Sequence, residues 1–377
     1  MPGVEPPRFE RLVALDLMRG LVMVLMALDH SSDAFNGGRL ITDSAAFFTP
    51  GTPLPAAQFL TRWVTHLCAP TFVFLAGTGL AFSVKNELSR GKSQLSVDRY
   101  LLVRGVIIVG FELWVSYFLM SPGKYLFQVL YAIGTSYLLM IPLRRLKAPA
   151  ALALSLGLML TLELAGAAFG GPAPKSAPLG VTLLILGGRL GPLFVAYPTL
   201  PWLSIMLLGW AFGNHLLARP QAPSELSRRL ALTGLVSLAL FAVIRGVDGY
   251  GNMWLHREGW SLVQWLHVSK YPPGLAYLTL ELGLCFLGLA VFMAFFSGSR
   301  APSRHHVLFV LGQTPMFFYL LHFPLLMESA KLFGVEKRLG LAGAYLGAAL
   351  AVLLLYPACR AYRSYKLAHR DGWPRYI

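Results

Sequence analysis

Long apolar blocks, separated by short basic loops and by three longer loops rich in Gly, Pro and aromatics, make up this chain. Ten blocks are long enough to cross a bilayer, which takes roughly 20 mostly apolar residues. They fall at about 12–31, 61–84, 100–121, 124–143, 149–169, 199–218, 229–246, 273–297, 305–331 and 339–360. The pattern predicts an all-α, polytopic integral membrane protein of about ten transmembrane helices, forming one domain over 1–377. An eleventh helix is the alternative at 177–198. There the apolar core is short and broken by Gly187, Gly188, Arg189 and Pro192, so a loop or re-entrant piece is expected.

Composition supports a membrane reading: 56% of the residues are hydrophobic and 13% charged, too apolar for a soluble domain of 377 residues. A net charge of +15 would suggest nucleic acid as a partner of a soluble protein. Here the lipid bilayer is the expected partner, and the placement of the cations is the better test. One set of alternate loops holds 19 Lys and Arg residues: Arg8, Arg11, Lys85, Arg90, Lys92, Arg99, Arg144, Arg145, Lys147, Arg219, Arg228, Arg229, Arg300, Arg304, Arg360, Arg363, Lys366, Arg370 and Arg375. The other set holds 11, while Arg19 and Arg104 lie within spans. The positive-inside rule then puts both termini in the cytoplasm. Arg8 and Arg11 before an apolar run imitate a signal peptide, but Asp16 and Arg19 interrupt the run, so a retained first helix is expected. Cys68, Cys285 and Cys359 all lie in apolar spans and read as small core residues.

The first block, "LDLMRGLVMVLMALDHSSDAF", carries Asp16, Arg19, Asp29 and His30. At about 100° per residue, the eleven steps from Arg19 to His30 return to within about 20° of one face, roughly 16 Å further along. Asp16 lies close to that face and Asp29 on a neighbouring one. A charge at mid-bilayer costs on the order of 3 kcal/mol, so the stripe should face a polar interior. An ion pair of Asp16 and Arg19 that pins the first helix is the structural alternative.

Further ionisable groups gather at the same outer level. The second span begins with Arg62 and His66 on one face, and its Pro70, Gly77 and Gly79 allow a kink and close packing. "WLHVSKYPPGL" places His267, Lys270 and Tyr271 before the eighth span, and "YLLHFP" places His322 in the ninth. One polar site explains this convergence of His30, His66, His267 and His322 more economically than four separate packing roles. Metal ligation is not expected, since the zinc pairings H-x-x-x-H and H-E-x-x-H are lacking. Glu112, Glu163 and Glu281 are isolated acids within spans, which keeps a proton-coupled small-molecule transporter or exporter as the alternative function.

The segments "RLVALDLMRGLVMVLMALDH", "TRWVTHLCAPTFVFLAGTG", "YPTLPWLSIMLLGWAFG", "VSKYPPGL" and "FFYLLHFPLL" resemble, in content and order, bacterial members of the heparan-alpha-glucosaminide N-acetyltransferase catalytic domain family. More distantly they resemble the membrane acyltransferase-3 family: Arg19 and His30 match its Arg, ten residues, His spacing, Phe72–Gly77 its apolar run, and Tyr319–Pro324 its late Tyr-Leu-x-His-x-Pro pattern. The resemblance implies a transmembrane acyltransferase-like bundle. It also implies transfer of an acetyl or other acyl group from cytoplasmic acyl-CoA to an acceptor across the membrane, an amino sugar, glycan or glycolipid. A thioester is already activated, so such chemistry needs a base and an oxyanion donor.

On this basis the expected catalytic residues are His30 as base, Asp29 setting its tautomer, Arg19, and His66. Asp16, Arg62, His267, Lys270, Tyr271 and His322 are expected to bind substrate, and Arg19, Arg99 and Arg144 to meet the donor. A bacterial-type inner membrane is the expected location, and a homo-oligomer is left open. One departure stands out: the animal enzymes of the family carry their catalytic His in the first non-cytosolic loop, whereas Ser31–Thr65 contains none. His30 or His66 is expected to take that role.

Overall fold

A computed structural model of the chain describes residues 13–120, 122–172, 177–296, 302–369 and 372–376. The cations Arg8, Arg11, Arg300 and Arg370, and the chain end at Ile377, lie outside them. Helices dominate: α1 (Val13–Phe35), α2 (Ala56–Val64), α3 (Cys68–Ser89), α4 (Gln94–Leu119), α5 (Val129–Leu143), α6 (Ala148–Ala168), α7 (Leu179–Val181), α8 (Thr199–Ala218), α9 (Pro223–Val247), α10 (Leu262–Leu266), α11 (Leu275–Phe295), α12 (Val307–Gln313), α13 (Pro315–Leu332) and α14 (Gly340–Ala368).

Each of the ten apolar blocks holds a helix, though 124–143 opens with a short strand, and not every helix is a self-sufficient span. Among the described residues, seven helices are long and apolar enough to cross a membrane, or eight if α12 and α13, bent by 99°, count as one. By length and composition, seven or eight of the ten expected spans are thus supported. Helix α5 falls short because it has only 15 residues. Helix α1 falls short because Asp16, Arg19, Asp29 and Asp33 interrupt its apolar run. Its cost is met by centrality instead, since α1 packs against α3, α11, α12, α13 and α14. At its crossing with α12 the backbones touch: a Cβ on Gly312 would collide with the carbonyl of Asp16, and one on Gly20 with that of Leu308.

The segment at 177–198 is not an eleventh span. It holds α7, a π-helical turn over Thr182–Leu186, and a hairpin of β2 (Gly188–Leu190) with β3 (Leu193–Val195). Strand β1 (Tyr125–Phe127) joins β3 in parallel, with Leu126 opposite Phe194. This small sheet delivers Val129, at the start of α5, and Tyr197, just after β3, to the end of the bundle where α1 finishes.

One proline breaks a span where the site is built. Pro70 has no N–H to bond the carbonyl of His66, four residues back, and α2 and α3 are joined there by a 3-10 turn over Thr65–Leu67. The freed His66 carbonyl accepts from the Tyr277 hydroxyl at 3.0 Å. Gly77 packs against the backbone of Met206 on α8, as expected for close helix approach, whereas Gly79 faces open space.

Candidate functional site

At the end of the bundle where α1 finishes, two carboxylates, Asp43 buried and Asp29 partly exposed, share one guanidinium. Arg62 donates to Asp29 Oδ1 at 2.5 Å and to Asp43 Oδ2 at 2.8 and 2.5 Å. Its remaining reach goes to the Tyr271 hydroxyl at 3.2 Å. Asp29 also accepts from Arg39 at 2.9 Å and from Thr65 at 3.0 Å. His66 Nε2 stands 3.3 Å from Asp43 Oδ2. Burial would raise the Asp43 carboxyl, but the Arg62 guanidinium, with His66 next, holds it far below the usual carboxylate range. Asp43 is thus a fixed anion in the loop after α1.

The two histidines of greatest sequence separation in this cluster meet directly: His30 Nδ1 and His322 Nε2 are 2.6 Å apart. The other nitrogen of His322, Nδ1, lies 3.1 Å from the carbonyl oxygen of Phe318, one turn earlier on α13. A carbonyl only accepts, so Nδ1 of His322 carries the proton and its Nε2 accepts from His30 Nδ1–H. His30 Nε2 is left with a free lone pair. Asp29 does not set this tautomer as expected: its Oδ2 is 4.0 Å from His30 Nε2, because neighbouring helical residues point about 100° apart. Tyr319 and Phe323 flank the His30 ring, with centroids 6.1 and 4.0 Å away.

The loop between α9 and α11 closes the cluster. Arg245, fully buried, donates to the carbonyls of Leu255, Gln264, Trp265 and His267 and to Asn252 and Asp248. Six partners from one side chain fold this loop back over the bundle. His267 Nε2 then bonds the carbonyl of Thr42 at 2.8 Å, while Lys270 N bonds that of Asp43 at 2.8 Å. Burial pushes the His267 imidazole down, with the Thr42 bond opposing it, so the ring pins two loops together.

Two cavities meet at this cluster. The smaller, of about 110 Å³, is lined by Asp29, His30, Thr65, Lys270 and Tyr271. Arg62, His66, His267 and His322 stand behind its wall rather than in it. The larger, of about 610 Å³, opens at the other end of the bundle, where Arg19, Arg90, Arg104, Arg363 and Lys366 line it above an apolar depth that includes Met23, Leu75 and Ile108. Met26, Phe72, Val129 and Tyr319 border both cavities and form the septum between them.

Helix α1 thus connects the two chambers, with Arg19 in one and His30 in the other. Asp16 does pair with Arg19, at 3.0 Å, and also accepts from Gln313 at 2.9 Å; Arg19 further bonds the Gly312 carbonyl at 3.1 Å. Arg363 of α14 bonds the same Gln313, so both ends of the described chain meet at the basic end.

Two expected donor contacts are placed elsewhere. Arg99 is exposed, and Arg144 is engaged by Asp98 at 2.9 and 2.7 Å and by Gln94 at 2.6 Å; neither lines a cavity. Arg104 does, and sequence reasoning missed it. Its guanidinium bonds the Tyr100 hydroxyl at 2.7 Å and lies 5.1 Å from the Tyr137 ring, its Nε is buried without a partner, and no carboxylate pairs with it among the described residues. Of the acids weighed as a proton relay, Glu112 accepts from Tyr131 N at 2.7 Å and Glu163 from Gly251 N at 2.8 Å, whereas Oε1 of Glu112 and of Glu281 is buried without a hydrogen-bond partner among the described residues. No group of three or more His, Cys, Asp or Glu side chains is placed to hold a metal among the described residues.

A helical membrane bundle with a histidine pair between two end-to-end chambers is the class of protein these features define. Residues 11–244 match the family described as heparan-alpha-glucosaminide N-acetyltransferase, catalytic, and since that is more than half of its length, the chain belongs to this family. It is accordingly a membrane protein of the acetyltransferase class. The matched stretch contains Arg19, Asp29, His30, Arg62 and Arg104, while Lys270, Tyr319 and His322 come after it. A search of curated proteins gave no match.

Proposed function

We propose that this protein moves an acetyl or other short acyl group from acyl-CoA in the large basic chamber to an amino sugar, glycan or glycolipid at the small chamber, with His30 as general base. One observation carries the proposal: two cavities approach from opposite ends of the bundle and stop at a shared septum, with the His30 lone pair beside it. The large chamber suits a CoA thioester. Its cationic rim, above all the unpaired Arg104, offers charge to phosphates, and its apolar depth accommodates the pantetheine arm. Arg90 and Arg104 take the donor role first assigned to Arg99 and Arg144, beside Arg19.

In the direct reaction, the acceptor amine or hydroxyl loses its proton to His30 Nε2 as it attacks the thioester carbon. His322 accepts the hydrogen bond from Nδ1 throughout, which keeps the base in its useful tautomer. Asp29 and Asp43, fixed by Arg62, give the chamber a rigid polar wall, and Lys270 and Tyr271 face the acceptor. On this reading the basic end and both termini are cytoplasmic, by the excess of Lys and Arg in their loops, and the small chamber opens outward from a bacterial-type inner membrane. Transport by an acidic relay is the weaker reading, because Glu112, Glu163 and Glu281 line neither of the two chambers.

The test is acetyl-CoA binding, together with acetyl transfer to glucosamine, by detergent-purified wild-type and His30→Ala protein. The expected result is equal binding, with turnover lowered at least about 100-fold in the variant. Folded wild-type protein that binds no acetyl-CoA would overturn the proposal.

A further inference from the structure

Of the four residues that border both chambers, Met26, Phe72 and Val129 have no hydrogen-bonding group; Tyr319 has one. Its hydroxyl is buried and has no partner among the described residues. Leaving a buried O–H unsatisfied costs about 1–3 kcal/mol, and native structures rarely carry such a group without a use for it. The ring is held firmly: it lies edge-on to His30 at 6.1 Å, and 5.4 and 5.3 Å from the rings of His322 and Phe323. An unbonded donor is thus rigidly placed at the septum, beside the base.

We propose that Tyr319 is a catalytic residue, whose phenolic O–H donates to the carbonyl oxygen of the acyl thioester as negative charge develops there. The proposal rests on the acyl-transfer reading above and deepens it. The acceptor lone pair forms the new bond to the carbonyl carbon, and the C=O π electrons move onto oxygen, where Tyr319 O–H meets them. His30 Nε2 takes the acceptor proton. When the oxyanion re-forms C=O, the C–S bond breaks and the sulfur leaves with that proton from His30, giving acylated acceptor and free CoA thiol. The phenol donates a hydrogen bond throughout and keeps its proton. A donor already bound to a protein carbonyl would have to break that bond first; the Tyr319 hydroxyl has none to break.

The test is Tyr319→Phe, which keeps the ring and removes only the oxygen. With acetyl-CoA and glucosamine, kcat is expected to fall about 100-fold, as for loss of one oxyanion donor, while the Kd for acetyl-CoA stays within about twofold. Thermal stability should be unchanged or higher, because an unsatisfied hydroxyl has been removed. An unchanged kcat in Tyr319→Phe, beside an active wild type, would overturn this proposal alone. So would a loss confined to donor binding, or a drop in stability that accounts for the lost activity. A folded wild-type protein without any transfer would overturn both this proposal and the reading it rests on.

Discussion

His30 and His322, 292 residues apart in sequence, share a 2.6 Å hydrogen bond whose direction is fixed by the Phe318 carbonyl behind it. In the proposed mechanism, the partner that orients the base is a neutral imidazole, where a carboxylate would be the usual choice. His322→Ala should therefore lower kcat about 10- to 100-fold, because half or more of the His30 rings then adopt the wrong tautomer or orientation. His322→Gln, whose amide oxygen can accept from Nδ1–H, should recover part of the rate. Equal activity in both variants and wild type would remove His322 from the mechanism.

Arg104 presents its charge to the large chamber without a carboxylate partner among the described residues. Arg104→Gln is expected to weaken acetyl-CoA binding about tenfold or more, and to reduce the salt dependence of that binding, with kcat at saturation little changed. Isothermal titration at two ionic strengths measures both. A Kd equal to wild type at low salt would place the donor's phosphates elsewhere.

Arg245 holds the loop of Lys270 and Tyr271 through bonds to the Gln264 and His267 carbonyls, both 2.7 Å, and to four other groups. Its loss leaves several buried acceptors unsatisfied, so Arg245→Ala should cost about 3–5 kcal/mol. Arg245→Lys, which has no planar fork, should restore little of it. Thermal unfolding in one detergent gives the comparison, and a Tm near wild type for the Ala variant would contradict the role.

Asp43 supplies a pH-dependent part of stability. Its carboxyl is depressed in the folded protein, so its contribution is fully present above the unfolded carboxylate value of about 3.9 and is lost as pH falls below it. Asp43→Asn should be less stable than wild type at pH 7, by roughly 3–5 kcal/mol for a broken buried pair, and the gap should narrow toward pH 3. Tm measured against pH tests the sign: a gap that widens on acidification would refute it.

The helical blocks were legible because bilayer-length apolar runs are a strong signal, and the family motifs identified the first helix and the "YLLHFP" turn. Arg19, Asp29 and His30 stood out for the same reason, as charges where charges are costly. The partners were not legible. Arg39 and Asp43 lie in a loop without periodicity, and only the rule that buried ions need partners hinted at them. The His30–His322 bond depends on how α13 packs on α1, which no local pattern encodes. Arg99 and Arg144 looked like phosphate binders by charge alone, yet Asp98 already occupies Arg144. Tyr319 was visible only as part of a motif, because its significance lies in the missing partner of its hydroxyl.

In the proposed mechanism an acyl group passes through the septum between chambers that open at opposite ends of the bundle. The most direct test uses sealed vesicles of the reconstituted protein, with glucosamine trapped inside and acetyl-CoA supplied only outside. The expected result is N-acetylglucosamine inside, formed without entry of CoA and abolished by His30→Ala. Acetylation only when donor and acceptor share one compartment would contradict the two-chamber account.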